Sequence, residues 1–251
     1  MTEQNLEINT CKDMYIDLLK KCVSDYIYIS NDVCTGIKVN DFQLENGTVW
    51  PDRAHTMIGV KRLNNIHFCV EDILKNNIEG DLIETGVWRG GATILMKGIL
   101  KANNNTNRKV FVADSFEGLP PPDAKYPADA RDSLHTIKFL AVSREQVESN
   151  FKRYDLLDDN VIFIKGFFEN SLPKAPIDKL SILRLDGDMY SSTIQVFELL
   201  YDKLSIGGYL IIDDYSLPGC NKAVKDFRAQ RNITEEIIDI DPYSCYWKKL
   251  H

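Results

Sequence analysis

Two hydrophobic periods alternate along most of this chain. Five short apolar runs are rich in β-branched residues and bounded by polar residues or glycine: "DLIETG" (81–86), "KVFVADS" (109–115), "NVIFIKG" (160–166), "LSILRLDGD" (180–188) and "GGYLIIDD" (207–214). That pattern predicts strands. Between them, 91–101, 143–154, 189–204 and 219–231 carry apolar positions at helical spacing and predict helices. Ser143 and Gln146 stand three apart, the spacing of a capping box at the start of the second of these helices. Strands alternating with helices specify a mostly parallel sheet covered on both faces. After Arg231, "EEIIDID" and "SCYWKKL" read as two strands without a helix between them, which predicts an antiparallel C-terminal hairpin at one sheet edge.

The first 80 residues follow a different pattern. Leu6 to Val23 reads as an amphipathic helix, Tyr26 to Arg53 is less regular, and Ala54 to Lys75 reads as a second helix. In that helix Met57, Val60, Leu63, Ile66, Val70 and Leu74 fall on one face. The expectation is an N-terminal helical cap or lid over 1–53, packed on an α/β domain over 54–251. Phe116 to Lys138 is a long stretch rich in Pro and Asp, the kind of loop that forms a lid.

Composition narrows the function classes. With 251 residues, 44% hydrophobic and 27% charged, the chain can bury a full core. A net charge of −7 argues against a nucleic-acid partner, which would require a basic face. The six cysteines form no C-x-x-C pair and are expected to be reduced core thiols of a cytoplasmic protein. The N-terminal MTEQNLEINT is polar and lacks the pattern of a signal peptide. No apolar run reaches the ~20 residues of a membrane helix, so no membrane partner is expected.

In an open parallel sheet, ligands bind at the carboxyl ends of the strands near the topological switch point. Three features fall there. "IETGVWRGG" runs from a strand through Gly86, Gly90 and Gly91 into a helix, so a ligand can approach the backbone. It is not G-x-G-x-x-G, and Glu84 would repel a phosphate, so a ligand with a cationic amino group fits better. A tight turn with no ligand is the competing reading. Asp114 ends the next strand and suits a ribose diol, although a helix cap or a solvated acid would also end a strand this way. Together the two features indicate S-adenosylmethionine, which joins a ribose to a cationic amino acid.

The third feature is a cluster of acids: Asp186 after one buried strand, and Asp213 and Asp214 after another. Carboxylates meeting at one sheet edge repel unless a proton, a cation or a substrate lies between them. Three of them match the oxygen-ligand set of Mg²⁺. The competing reading makes them separate helix N-caps. Asp188 is expected to point elsewhere, toward the cofactor or a helix start.

At these residues the chain closely resembles the macrocin O-methyltransferase family, whose members methylate sugar hydroxyls of bacterial natural products. The resemblance covers about residues 53 to 250, in "AHTMIGVKRLNN", "DLIETGVWRGGATILM", "VADSFEGLP", "LLDDNV", "LRLDGDMYSST", "GGYLIIDDY" and "PGCNKAVKDFR". It implies a Rossmann-like class I methyltransferase with a seven-stranded sheet and helices on both faces. S-adenosylmethionine would be held by the 84–91 turn (Glu84, Thr85, Gly86, Gly90, Gly91) and by Thr56 and Met57 on the preceding helix. Asp114 and Ser115 would meet the ribose, and Gly166, Phe167 and Phe168 of "KGFFENSLP" the adenine, with Asp186 also near the cofactor. A divalent cation, Mg²⁺ or another, would sit on Asp186, Asp213 and Asp214. The resemblance also implies an active-site role for His135; a solvated loop histidine is the plainer reading. Related catechol methyltransferases place a lysine base where this chain has Met189, which favours the sugar-methylating branch.

The expected chemistry is proton removal from a sugar hydroxyl and methyl transfer to its oxygen, with Asp186 as first choice of proton acceptor and His135 as second. The alternatives are a catechol- or phenol-type O-methyltransferase and a non-catalytic nucleoside-binding protein. The expected partner is a small-molecule or glycosylated acceptor, and the expected assembly a homodimer.

Overall fold

The computed structural model describes residues 10–251. Its sheet has seven strands: β1 (Asp81–Thr85), β2 (Val110–Asp114), β3 (Val161–Lys165), β4 (Leu180–Leu185), β5 (Leu204–Ile212), β6 (Ile238–Asp239) and β7 (Cys245–Lys248). They lie in the order β3-β2-β1-β4-β5-β7-β6. The first five are parallel, β7 runs antiparallel to β5, and β6 pairs antiparallel with β7 at the edge. The seven-stranded sheet and its C-terminal hairpin are those expected.

Among the described residues, eight α-helices accompany the sheet: α1 (Cys11–Val23), α2 (Asp41–Asn46), α3 (Gly59–Lys75), α4 (Gly91–Ala102), α5 (Arg144–Arg153), α6 (Phe168–Ser171), α7 (Tyr190–Leu200) and α8 (Pro218–Arg231). Side-chain alternation along the strands divides the interior in two. Leu82, Val110, Val112, Ile182 and Ile211 face a core shared with α1, α3, α4 and α5. Ile83, Phe111, Leu183, Leu210 and Ile212 face a second core with α7 and α8. Strands buried on both faces explain the near-continuous apolar runs.

Several boundaries differ from the sequence reading. The helix expected from Leu6 begins at Cys11, because Thr10 caps it in a reciprocal capping box with Asp13; 6–9 lies outside the described residues, as does most of the polar N-terminal stretch. The helix expected from Ala54 begins at Gly59, because 54–58 is held in turns, with the His55 and Thr56 N–H groups both donating to Val23 O. Thr56 and Met57 therefore precede the helix instead of riding on it. The irregular 26–53 stretch contains α2, capped by Asn40 and Gln43. At α5, Ser143 Oγ accepts from the Gln146 N–H, but the return bond of a capping box is not made. The α7 helix stops at Leu200, where one 3-10 turn leads into a β5 that starts three residues before Gly207. Gly207, at φ +85°, lies in a register shift between β4 and β5, so the strand continues through an irregularity that reads as a turn. Of the six cysteines, Cys69, Cys220 and Cys245 are buried; Cys11 and Cys34 are exposed and were not core positions.

The 116–138 loop holds short 3-10 turns and is pinned at its middle. Buried Asp129 accepts from the N–H groups of Tyr190 and Ser191 at 2.7 and 2.8 Å, capping α7 from outside it.

Candidate active site

The chain runs β1-β2-β3 outward on one side of the sheet and β4-β5 on the other, so the switch point lies between β1 and β4. The turn after β1 is built against β4. Gly86, at φ +87°, lies so close to β4 that a Cβ there would stand 1.7 Å from the Asp186 carbonyl oxygen. On the other side, the Gly91 N–H donates to His55 O, tying the start of α4 to the 54–57 segment. Asp114 closes the turn from β2: its Oδ2 accepts from the Val87 N–H at 2.7 Å and its Oδ1 from the Phe116 N–H at 2.8 Å. Burial pushes this carboxyl above the usual range, against those bonds.

A cavity of about 450 Å³ opens over the switch point. Its wall brings together Thr56, Met57, Glu84, Gly86, Asp114 and Ser115 with Phe167, Phe168, Asp186, Asp213 and Asp214. Four of the expected cofactor residues stand behind the wall instead. Buried Thr85 donates its hydroxyl to Arg184 O at 3.3 Å, Gly90 and Gly91 begin α4, and Gly166 accepts from the Ser171 hydroxyl at 3.0 Å. His135 is exposed and outside the wall, whereas its neighbour Leu134 lines it. Trp50, Leu140, Leu217 and Tyr243 add apolar and aromatic lining to the same cavity, with the Leu217 N–H donating to Asp214 O at 2.8 Å.

The acids are not helix caps. The first N–H groups of α7 are taken by Asp129, and Asp214 Oδ2 accepts from the Asp188 N–H at 3.0 Å. Two arginines offset the charge, and the sequence reading missed both. Arg184 is fully buried on β4, in register with Glu84 on β1. Its Nη1 donates to Glu84 and, at 2.8 Å, to Asp186 Oδ2, while its Nη2 donates to Asp213 Oδ1. Arg62, from α3, donates to Asp213 Oδ2 at 2.7 Å. The available signal for Arg184 was a charged residue inside the otherwise apolar "LSILRL"; Arg62 lies in an ordinary helical pattern and gave none.

Burial, and after it charge crowding, shifts the acids upward. Burial pushes Glu84 to about 8 despite Arg184 beside it. Burial and the neighbouring Asp213 raise Asp186 to about 6, with Arg184 pulling the other way. Burial and the charges of Asp186 and Asp213 bring Asp188 to about 8. Burial and Asp188 raise Asp214. Asp188 was expected to face the cofactor or a helix start; it lines the same cavity, at φ +56°, and does not cap α7.

The residues fit both groups that the sequence implied. Asp186, Asp213 and Asp214 each offer a carboxylate oxygen, all within 4.8 Å of one another. A carboxylate oxygen has two lone pairs, so Asp213 can keep both arginines and still accept a cation. Glu84 lines the cavity, and its buried Oε2 has no hydrogen-bond partner, which leaves it an acceptor for an ammonium group.

This fold, with its switch-point cavity between an acidic strand end and a glycine-lined turn, is that of a class I methyltransferase. Comparison with known proteins makes it specific. The profile of the macrocin-O-methyltransferase (TylF) family matches residues 18–249, and the chain belongs to that family. It is 46% identical to the demethyldecarbamoylnovobiocin O-methyltransferase of Streptomyces niveus, over 99% of this chain and 98% of that one. It is 44% identical to the 8-demethyl-8-(2,3-dimethoxy-alpha-L-rhamnosyl)-tetracenomycin-C 4'-O-methyltransferase of Streptomyces olivaceus, over 94% and 93%. The solved structure of the O-methyltransferase NovP superposes with a TM-score of 0.93 at 46% identity, covering 96% of this chain and all of that one. The protein is an S-adenosylmethionine-dependent O-methyltransferase. Among the described residues, no helix is long and apolar enough to cross a membrane.

Proposed function

We propose that this enzyme transfers a methyl group to a sugar hydroxyl of a glycosylated natural product, with a divalent cation on Asp186, Asp213 and Asp214. The observation that carries the reading is the convergence of these carboxylates in the same cavity as the unpartnered Glu84 oxygen. The rhamnosyl acceptor in the name of the Streptomyces olivaceus relative supports the sugar, as does Met189 where a catechol enzyme would carry lysine.

When bound, S-adenosylmethionine supplies an activated methyl group, and a divalent cation makes a coordinated hydroxyl easier to deprotonate. The protein supplies the alignment. Glu84 takes the amino group of the amino-acid end; Asp114 and Ser115 take the ribose hydroxyls; Phe167 and Phe168 flank the base; Thr56 and Met57 close the near side. Holding donor and acceptor in line is worth on the order of 7–11 kcal/mol of barrier.

The proton goes to Asp188 in preference to Asp186. Arg184 occupies Asp186 Oδ2, which weakens that carboxylate as an acceptor, whereas the Asp188 carboxylate has no hydrogen-bond partner among the described residues. His135 orients the acceptor when its loop closes over the cavity.

The test is turnover of S-adenosylmethionine with a glycoside panel and a catechol panel, each with Mg²⁺ and with EDTA, read as mass gain of one methyl group. Methylation of glycosides that EDTA abolishes supports the reading. Transfer to catechols alone would establish the phenol-type alternative, and full turnover in EDTA would remove the cation. Binding without any turnover on either panel would place the acceptor outside both classes.

A further inference from the structure

Arg62 joins two parts of the cavity that are far apart in sequence. Its Nη1 donates to Asp213 Oδ2 at 2.7 Å, and its Nε donates to Asp241 Oδ2, also at 2.7 Å. Asp241 is the organiser of the turn between β6 and β7. Its Oδ1 accepts from the N–H groups of Tyr243 and Ser244 at 2.8 and 2.9 Å and from the Ser244 hydroxyl at 3.0 Å. That turn places Tyr243 in the cavity wall, with its ring 5.6 Å from the Arg62 guanidinium. One side chain thus holds both an acid of the cluster and the turn that carries Tyr243.

We propose that Arg62 is a positioning residue: a rigid strut through which cation loading at Asp213 tightens the Tyr243 wall. The inference rests on the metal reading proposed above. The physical basis is the planar fork of a guanidinium, whose N–H directions are fixed relative to one another. Arg184 already fixes the other oxygen of Asp213. A cation on the three acids would immobilise the Asp213 carboxylate further. Because the Nη1 and Nε bonds share one plane, restricting Asp213 restricts Asp241, and through it the backbone N–H groups of Tyr243 and Ser244. An ammonium presents no such fork, so lysine could hold one partner without transmitting its position to the other. The consequence is a cavity wall at Tyr243 that is firm only when the acids are loaded.

The effect is measurable without knowing the acceptor. Hydrogen exchange of the full chain would be followed over 238–247 with and without Mg²⁺, and Mn²⁺ binding would be followed by electron paramagnetic resonance on the same samples. In the wild type, Mg²⁺ is expected to slow exchange of the Tyr243 and Ser244 amides by roughly threefold or more. Asp241→Asn is expected to bind Mn²⁺ yet lose this protection, because the amide no longer offers Arg62 a charged partner while the turn keeps an acceptor oxygen. Arg62→Met should lose it too, and Arg62→Lys should not restore it. A purely structural ion pair would lower stability in the variants but leave the Mg²⁺ response intact, and that result overturns the strut. So does a wild type that binds Mn²⁺ and shows no protection at 243–244. A wild type that binds no Mn²⁺ removes the metal reading itself, and the strut with it.

Discussion

Replacing Arg184 with methionine tests how the acid cluster is held. Methionine keeps an unbranched side chain in the strand and deletes the charge. Three carboxylates then lose a donor: Glu84 across the β1–β4 register, Asp186 two residues along the same strand face, and Asp213 from the end of β5. Removing one partner of a buried ion pair costs about 3–5 kcal/mol. At about 2–4 °C per kcal/mol for a chain of this size, melting should fall by roughly 6–20 °C at pH 8 in EDTA.

The sign with pH follows from the direction of the shifts. Without Arg184 the folded-state carboxyls rise further above their unfolded values, and Glu84 is already near 8 with the arginine present. A group raised in the folded state destabilises it once pH climbs past the unfolded value. The deficit of Arg184→Met relative to wild type should therefore be small near pH 5 and full at pH 8. Excess Mg²⁺ should recover part of it, because a dication replaces the lost charge. Thermal unfolding by circular dichroism at both pH values, with EDTA and with Mg²⁺, reads all of this. A deficit below about 1 kcal/mol at pH 8, or one larger at pH 5 than at pH 8, would refute the account; Arg184→Lys, which keeps the charge, should lose less.

Asp114→Ala should weaken S-adenosylmethionine binding by about 1–3 kcal/mol in calorimetry, since it strips acceptors from the ribose and from the Val87 and Phe116 N–H groups; unchanged affinity would dismiss the assignment. His55, which burial and then Arg153 and Arg89 hold near 4, stays neutral in the fold while the unfolded chain protonates below about 6.5. Stability is therefore lost as pH falls through that window, and after discounting partial exposure this one group should contribute about 1–2 kcal/mol of the loss between pH 7 and pH 5. Urea unfolding of His55→Gln should show a shallower pH dependence than wild type. Asp188→Asn should remove nearly all turnover while cofactor binding survives, whereas His135→Ala should act mainly by raising acceptor KM. If His135→Ala instead abolishes turnover at saturating acceptor, histidine is the base.

What could be read in advance was whatever repeats locally. Strands β1, β2 and β4 announce themselves because both faces are buried and the runs are mostly apolar. The β5 strand was legible only from Gly207 onward, since its first residues pass through a register shift with the glycine at positive φ, and local patterns treat such a residue as punctuation. The helix start at Gly59 was hidden for a related reason. The apolar residues Met57 and Ile58 continue the helical spacing, but the backbone before them is committed to Val23 and Gly91, partners far away in the chain.

The acids of the site were legible and their neutralisation was not. Asp186, Asp213 and Asp214 stand at strand ends, where sequence position alone puts them on one edge. Arg184 faces Glu84 only because β1 and β4 are neighbours in one particular register, and a single-residue slip would turn its side chain to the opposite core. Arg62 reaches Asp213 from a helix 151 residues away in sequence. The guanidinium groups change the meaning of the cluster. Five acids, Glu84, Asp186, Asp188, Asp213 and Asp214, line one cavity beside Arg62, with Arg184 buried behind them, so a deficit of positive charge remains when every group is ionised. Burial, together with the neighbouring carboxylates, pushes Glu84 and Asp188 up to about 8, and protons can then cover that deficit. A dication covers it better, and in doing so it would return Asp188 to its ionised form and free it to take a proton from the acceptor.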